Sequence, residues 1–188
     1  VYSGGNGTGR AYIFYADGTN NFGTVACTGS APTVCSVDNA DVIITGESLS
    51  QFGNPLVSGD FNADGKTDLA VGAYNYSSGT GRTYLFYNDG SIPTTAATAD
   101  VIITGETSSI FGSALASGDF NADGKTDLAV GANTYSTSTG RVYLFYNDGS
   151  IPTTAATADV IITGETTFNY FGAFLTSGDF NADGKTDI

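Results

Sequence analysis

The chain has 188 residues, a formal net charge of −13, and many Gly, Tyr and Phe residues (26, 11 and 12), with no Met, Trp or His. Its length allows one domain with a hydrophobic core, and its composition favours β structure. The negative charge argues against nucleic acid or an anionic membrane as a partner. The lack of His excludes most general-base, Ser–His and zinc chemistry.

The first predicted element is an aromatic strand that opens with Arg10, and similar strands open with Arg82 and Arg141. The first step is 72 residues and the second is 59, so the first unit contains a 13-residue insertion. The insertion holds the only two cysteines, Cys27 and Cys35. A disulfide between them would indicate an oxidising compartment, whereas two free thiols in a cytosolic protein are the alternative.

A unit of about 60 residues is therefore present three times, and each unit carries four predicted strands. In one copy these strands span residues 51–61, 68–73, 82–87 and 100–104. Residues 68–73 are almost wholly apolar, which predicts a strand buried on both faces. Turn signals such as Asn88-Asp89-Gly90 separate the strands. Four short strands per period, without helical periodicity, predict the four-stranded antiparallel blade of an all-β propeller.

An acidic loop of nine residues follows the first strand of each unit, identical in all three copies. Its oxygen-bearing side chains stand at positions 1, 3, 5 and 9. A Gly at position 6 can take positive φ, and the carbonyl of the Lys at position 7 is placed to join them. Oxygen ligands without His or thiolate suit Ca²⁺. The predicted ligands are Asp60, Asn62, Asp64, Lys66 and Asp68, then Asp119, Asn121, Asp123, Lys125 and Asp127, then Asp179, Asn181, Asp183, Lys185 and Asp187.

The alternatives to a nine-residue calcium loop are an EF-hand and a simple polar turn. An EF-hand is excluded because position 12 is Val71 or Val130, where that motif needs a bidentate Glu. A simple polar turn stays open, but three carboxylates within nine residues would repel one another without a cation. We therefore predict three Ca²⁺ ions per chain, which would bring the formal charge to −7. Modest calcium sites stay filled outside the cell, so we expect an extracellular, secreted or cell-surface location.

The period divides the chain into four predicted parts. A partial blade with the cysteine insertion spans residues 1–47, two blades span 48–106 and 107–165, and a partial blade spans 166–188. Propellers have four to eight blades, so about three blades make an incomplete ring. We expect completion by further blades of a longer chain or by another copy. A stacked polymer is a third possibility, because open strand edges invite pairing.

These motifs resemble the FG-GAP repeat of the integrin α-subunit β-propeller, which also has relatives in bacterial secreted proteins and fungal lectins. Two features depart from that pattern: only three repeats are present, and the usual Pro after Gly-Ala is replaced by Tyr74 and Asn133. The resemblance implies Ca²⁺ in the loop between the first two strands of each blade, held by the residues named above. It is carried by Phe52-Gly53, Asp60–Asp68, Val71-Gly72-Ala73, Phe111-Gly112, Asp119–Asp127, Val130-Gly131-Ala132, Phe171-Gly172 and Asp179–Asp187.

No catalytic set is visible in the sequence. The only glutamates share one repeated position, which favours strand-end polar contacts over a glycosidase pair. The repeated arginines are predicted to cap a strand or to pair with a neighbouring carboxylate. Aromatic residues in the less uniform turns could stack on sugars or fill a partner's pocket. The glutamates are Glu47, Glu106 and Glu165, and the turn aromatics are Tyr74, Tyr76, Tyr135, Phe168 and Tyr170.

The sequence thus predicts a non-enzymatic adhesion or assembly module. Its expected partners are a protein or glycan at a cell surface, with self-association or further blades. No apolar run is long enough to span a bilayer. The alternatives are a lectin with repeated sugar sites, as the resemblance to fungal lectins allows, and an accessory domain of a larger secreted enzyme.

Overall fold

The computed structural model describes residues 7–16 and 36–188 of the chain. Within these ranges, ten strands form one two-stranded and two four-stranded sheets, and every pairing inside a sheet is antiparallel. The two-stranded sheet pairs Arg10–Ile13 (β1) with Val42–Thr45 (β2). The predicted Cys27–Cys35 bridge lies outside the described residues and stays a prediction.

The two larger sheets are consecutive meanders, in which each strand pairs with the next one along the chain. The prediction of an all-β fold made of four-stranded antiparallel blades is confirmed, and the described strands close no sheet into a ring. The first meander contains Leu56–Gly59 (β3), Asp68–Ala73 (β4), Arg82–Phe86 (β5) and Val101–Thr104 (β6). The second contains Ala114–Gly118 (β7), Asp127–Ala132 (β8), Arg141–Phe145 (β9) and Val160–Thr163 (β10).

The hydrophobic core lies between successive sheets. One cluster joins β2 to the first meander through Ile44, Val71 and Phe86. A larger cluster joins the two meanders, and Leu85 and Tyr143 belong to it. Strand β4 has the predicted bounds and is buried along nearly its whole length, as its apolar sequence requires.

The first strand of the blade is shorter than predicted, beginning at Leu56 instead of residue 51. Gln51 has φ 55° and Gly53 has φ 96°, so the chain cannot stay extended there. Phe52 instead forms a single parallel bridge with Gly9, the residue before β1. The sequence pattern does not predict this bend, because alternation of residue types carries no information about a left-handed backbone.

Strand β3 also ends at Gly59, two residues before its predicted end, and two further strand ends differ from prediction by one residue. Strand β5 ends at Phe86, one residue before Tyr87, and β6 begins at Val101. The cause is a side chain, because the Tyr87 backbone N–H donates to Asp100 Oδ2 at 2.8 Å and not to a strand carbonyl. Pairing therefore stops at this carboxylate.

Short turns connect the strands. Four-residue helical turns at Tyr76–Gly79 (α1) and Tyr135–Ser138 (α2) contain left-handed residues, such as Ser77 with φ 49°. Single 3₁₀ turns lie at Val37–Asn39, Ala96–Thr98 and Ala155–Thr157. In the part of the chain that the structure describes, no helix has the length and apolar character needed to cross a bilayer.

Candidate functional site

The first two acidic loops are tight coils between the first two strands of their blades, and the third is closed by a single antiparallel bridge between Gly178 and Asp187. Gly65 has φ 83°, and no atom would lie within 4 Å of an added Cβ, so its backbone conformation and not its surroundings requires Gly. Ala63 also has a positive φ, of 57°. The predicted role of the Gly at position 6 is confirmed, whereas the left-handed Ala at position 4 gave no sequence signal.

The coil brings the side chains of positions 1 and 3 to one point. The backbone N–H of Asp64 donates to Asp60 Oδ1 and to Asn62 Oδ1, both at 3.0 Å. Asp60 Oδ2 accepts from the Gly65 N–H at 2.8 Å. The other two loops repeat all three bonds at 2.8–3.0 Å, through Asp119, Asn121, Asp123 and Gly124, and through Asp179, Asn181, Asp183 and Gly184.

The Asp at position 5 is held by the Lys at position 7. Asp64 Oδ1 accepts from the Lys66 backbone N–H at 2.8 Å, and the Lys66 ammonium lies 3.2 Å from Asp64 Oδ2. The backbone hydrogen bond is the main reason that the pKa of Asp64 lies below its usual value. The carboxylate is therefore ionised at neutral pH. The inward direction predicted for the Lys66 carbonyl stays a prediction.

In the first two loops, the Asp at position 9 is buried and accepts two backbone hydrogen bonds. Asp68 lies at the start of β4, where Oδ2 accepts from the Phe61 N–H at 2.9 Å and Oδ1 from the Asn88 N–H at 2.8 Å. Asp127 makes the same bonds to Phe120 and Asn147, each at 2.9 Å. Burial is the main reason that the pKa of both carboxyls is raised. Position 9 thus ties the loop to the turn after the third strand.

The chemistry of the loops fits a hard cation. Within residues 7–16 and 36–188, no group of three or more His, Cys, Asp or Glu side chains is arranged to hold a metal ion. The side-chain donors of the loop are nevertheless carboxylate or amide oxygens, and each keeps a second lone pair beyond its bond to the backbone. After burial, the charges of Asp64 and Asp60 also raise the pKa of Asp68. A bound cation would relieve that repulsion.

A second repeated cluster lies at the boundary between successive sheets. Glu47 follows β2, and its Oε2 lies 3.0 Å from Arg82 Nη1 and 2.7 Å from the Tyr84 hydroxyl, which donates to it. Arg82 Nε also donates to Thr104 Oγ1 at 3.2 Å. The predicted pairing of the repeated Arg with a carboxylate is confirmed here. Glu106, Arg141, Tyr143 and Thr163 form the equivalent contacts at the next boundary.

The sequence did not predict which groups would meet in this cluster. Glu47 and Arg82 are 35 residues apart, as are Glu106 and Arg141. This constant separation was the available signal. Two of the proposed turn aromatics are also engaged by these arginines, since the Arg82 guanidinium lies 3.7 Å from the Tyr76 ring centre and Arg141 lies 3.6 Å from that of Tyr135.

A family model, described as the FG-GAP repeat, matches residues 52–86 and 111–145. Each match runs from a Phe-Gly pair, through the acidic loop, to the end of the third strand. This chain belongs to the FG-GAP repeat family. The resemblance seen in the sequence is confirmed, and the matched FG-GAP repeats contain both the acidic loop and the Arg and Tyr of the boundary cluster.

Curated relatives include a phospholipase D and integrin alpha subunits. The chain is 36% identical over 155 residues to phosphatidylinositol-glycan-specific phospholipase D of Bos taurus, a match that covers 74% of this chain and 18% of that protein. It is 34% identical over 152 residues to integrin alpha-7 of Homo sapiens, covering 77% and 12%. For integrin alpha-PS2 of Drosophila melanogaster the values are 32% over 150 residues, 74% and 10%. The chain therefore spans less than a fifth of the length of these relatives.

Proposed function

We propose that this FG-GAP chain is a non-enzymatic, calcium-stabilised module that acts outside the cell, in adhesion or assembly, by binding a protein or a surface. The observation that carries the proposal is the recurrence of one acidic loop at the same corner of successive blades. Equivalent blades present equivalent surfaces, which suits binding through avidity. The similarity to integrin alpha subunits supports the same conclusion.

Calcium in this proposal fixes the strand ends of each blade. Asp60, Asn62, Asp64 and Asp68 would hold the ion in the first loop, together with the Lys66 carbonyl, and the matching residues would do so in the other two. The ion would supply positive charge where the loops concentrate nine of the 19 acidic residues. Such sites suit the calcium concentration outside cells, which supports an extracellular, secreted or cell-surface location.

Two other functions have specific support. The similarity to phosphatidylinositol-glycan-specific phospholipase D favours an accessory domain of a larger secreted enzyme, because the chain spans only 18% of that relative. A lectin would use aromatic groups between blades, and Phe168 and Tyr170 are exposed in the turn after β10. In both cases this chain would bind and would not catalyse.

Two arrays test the proposal and separate it from the lectin. The labelled chain is applied to a secreted-protein microarray and to a glycan microarray, each in calcium and in EDTA. We expect binding to protein spots that is lost in EDTA. A chain with Asp64→Ala and Asp123→Ala should bind more weakly, whereas Asp148→Ala, in an exposed turn, should bind as the unaltered chain does.

Binding to a defined group of glycans would favour the lectin instead. Protein binding that persists unchanged in EDTA would contradict the role of calcium. Absence of binding on both arrays would contradict the proposal that the chain is a binding module. Sequencing the complete gene would test the accessory-domain alternative, which requires a catalytic domain in the same polypeptide.

A further inference from the structure

Neighbouring acidic loops of this chain are connected by direct contacts. We call residues 60–68 loop 1, residues 119–127 loop 2 and residues 179–187 loop 3. The chain enters loop 1 through Ser58, Gly59 and Asp60, and three residues of the next blade contact these three in turn. All of these residues lie in the two four-stranded meanders or in their turns.

Two of the contacts come from the two ends of loop 2. Ser117, two residues before the loop, donates its hydroxyl to the Ser58 carbonyl at 2.9 Å. Thr126, at position 8 of loop 2, packs over Gly59, where an added Cβ would lie 2.6 Å from the threonine Cγ2. Both ends of loop 2 therefore rest on the strand that leads into loop 1.

The next boundary repeats these two contacts. Ser177 donates to the Ser117 carbonyl at 2.8 Å, and the Thr186 methyl group lies 2.5 Å from the place of a Cβ on Gly118. Because the two boundaries use the same repeat positions, contact between neighbouring loops is a property of the repeat and not of one local sequence.

The third contact is made by Asn147, which connects both loops. Its side-chain amide donates to the Asp60 carbonyl of loop 1 at 3.3 Å, across 87 residues of sequence. Its backbone is held by loop 2, because its N–H donates to Asp127 Oδ1 at 2.9 Å and its carbonyl accepts from the Lys125 ammonium at 3.0 Å. Asn147 is 4% exposed, so water competes little for these bonds. One residue thus links position 1 of loop 1 to positions 7 and 9 of loop 2.

The corresponding residue of the first meander provides a matched control. Asn88 donates its N–H to Asp68 as Asn147 does to Asp127. Among residues 7–16 and 36–188, however, the Asn88 side chain makes no hydrogen bond to a neighbouring acidic loop. Substitution of Asn88 therefore removes the same side chain without removing a bond between described loops.

We propose that Asn147 is a positioning residue that couples calcium binding in loop 1 to calcium binding in loop 2, with positive cooperativity. The inference rests on the proposed calcium function. When loop 2 is filled, Lys125 and Asp127 are fixed, and Asn147 then holds the Asp60 carbonyl in place. Asp60 supplies position 1 of loop 1, so part of the entropy lost on ordering loop 1 is lost before its own ion binds. Linkage requires the reverse effect to have the same size.

Charge alone would produce the opposite result. Each loop concentrates three carboxylates, so filling one loop with a divalent cation lowers the negative potential at its neighbour and weakens binding there. Salt screens this effect beyond a Debye length of about 8 Å at physiological ionic strength. Positive cooperativity at that ionic strength would therefore come from the contacts and not from the charges.

Isothermal titration with calcium at physiological ionic strength measures the coupling. Loop 3 is removed with Asp183→Ala, which leaves two sites, and each of these is then isolated with Asp123→Ala or Asp64→Ala. The coupling factor is the overall constant for filling both loops divided by the product of the two isolated constants. We expect a factor of about five or more, and a fall towards one when Asn147→Ala is added to all three chains. Asn88→Ala, added in the same way, should leave the factor unchanged.

The coupling factor separates this role from a merely structural one. A substitution that weakens loop 2 alone lowers its isolated constant and the overall constant equally, so their ratio does not change. If Asn147→Ala fails to fold, Ser117→Ala removes another contact between the loops, at a partly exposed side chain, and should also lower the factor.

Amide hydrogen exchange follows the same link without binding at loop 1. In a chain with Asp64→Ala, added calcium fills loop 2 and should slow amide exchange in loop 1. The substitution also distinguishes the peptides of loop 1 from those of the two identical loops. Asn147→Ala should abolish this protection, and equal exchange in loop 1 with and without calcium would overturn the proposal.

Two results of the titration would also overturn it. One is a coupling factor of one or below in the Asp183→Ala chain, and the other is a factor that Asn147→Ala leaves unchanged. In both cases the loops would still bind calcium, and the proposed function would stand. Absence of calcium binding in all the chains would instead overturn the proposed function, and the coupling with it.

Discussion

One carboxylate oxygen, Glu47 Oε2, joins a guanidinium and a phenol across the boundary between two blades. The cluster is partly exposed, so solvent screening reduces its electrostatic contribution. Its hydrogen bonds to a charged group still matter, because removing Glu47 leaves the buried Tyr84 hydroxyl without this acceptor.

We predict that Glu47→Ala lowers the free energy of unfolding by about 1–3 kcal/mol, measured by urea denaturation. The matched control is Glu165→Ala, which removes the same side chain from the same repeat position on an exposed face. At a dilution where the chain is monomeric, this control should change stability little. Equal losses from the two substitutions would contradict a role at the blade boundary.

The buried tyrosines of this cluster make the free energy of unfolding depend on pH. Burial, and then the hydrogen bond to Glu47, raise the pKa of Tyr84 well above its usual value. Because the folded state favours the neutral phenol, this stabilisation is full below the unfolded pKa of about 10 and is lost as the pH rises from there through the folded pKa. Urea midpoints should therefore fall above about pH 10, and less steeply in Tyr84→Phe. If Tyr84→Phe and the exposed control Tyr15→Phe fall equally, this explanation is wrong.

Substitution of Asp64 tests the calcium-binding role of the acidic loop at a single side chain. We predict that Asp64→Ala lowers the melting temperature in calcium much more than in EDTA. At a calcium concentration of 100 Kd, one lost site corresponds to about 2.7 kcal/mol. The loss in EDTA should be small, because only the bonds to Lys66 disappear. Asp89→Ala in an exposed turn is the control, and equal losses in both conditions would indicate a simple polar turn.

At the scale of elements, the sequence predicted what depends on residue type along a strand. The apolar run of β4 was predicted with its bounds, and the repeat identified the four-stranded sheets. The bounds failed where a backbone angle or a distant side chain decides them. The backbone of Gln51 is left-handed before β3, and the Asp100 carboxylate accepts a hydrogen bond from the Tyr87 N–H at the end of β5.

The candidate site follows the same rule. The spacing in a curled loop predicted convergence of positions 1, 3 and 5; the structure brings Asp60 and Asn62 to one backbone N–H, whereas the Asp64 carboxylate binds Lys66. The pair of hydrogen bonds accepted by Asp68 could not be predicted, because the second donor, Asn88, lies 20 residues away in another turn. The boundary cluster depends on contacts over 35 residues, for which a repeat period alone names no partner.

Packing between blades can be tested at one glycine position. An added Cβ at Gly118, the last residue of β7, would lie 2.5 Å from Thr186 Cγ2, whereas at Gly178 the nearest atoms are 3.5 Å away. We predict that Gly118→Ala costs about 1–3 kcal/mol in urea denaturation and that Gly178→Ala costs much less. Thr186→Ser removes the obstructing methyl group and should partly restore stability to Gly118→Ala. Without such recovery, contact between β7 and the last loop would not explain the loss.

For the whole molecule, the acidic loops and the boundary clusters both compensate for the small hydrophobic core of a single blade. Each blade is a small sheet that is stable only when it packs against its neighbours. The boundary clusters link neighbouring blades, and calcium would fix the acidic loop within each blade. A chain of net charge −13 that concentrates its carboxylates at those corners should depend on the ion.

Counting ions per chain by native mass spectrometry in calcium tests this account most directly. We predict a main species with three calcium ions, reduced by one ion for each of Asp64→Ala, Asp123→Ala and Asp183→Ala, and by none for Asp148→Ala. A chain without bound calcium, or a count that the three substitutions together leave unchanged, would contradict it.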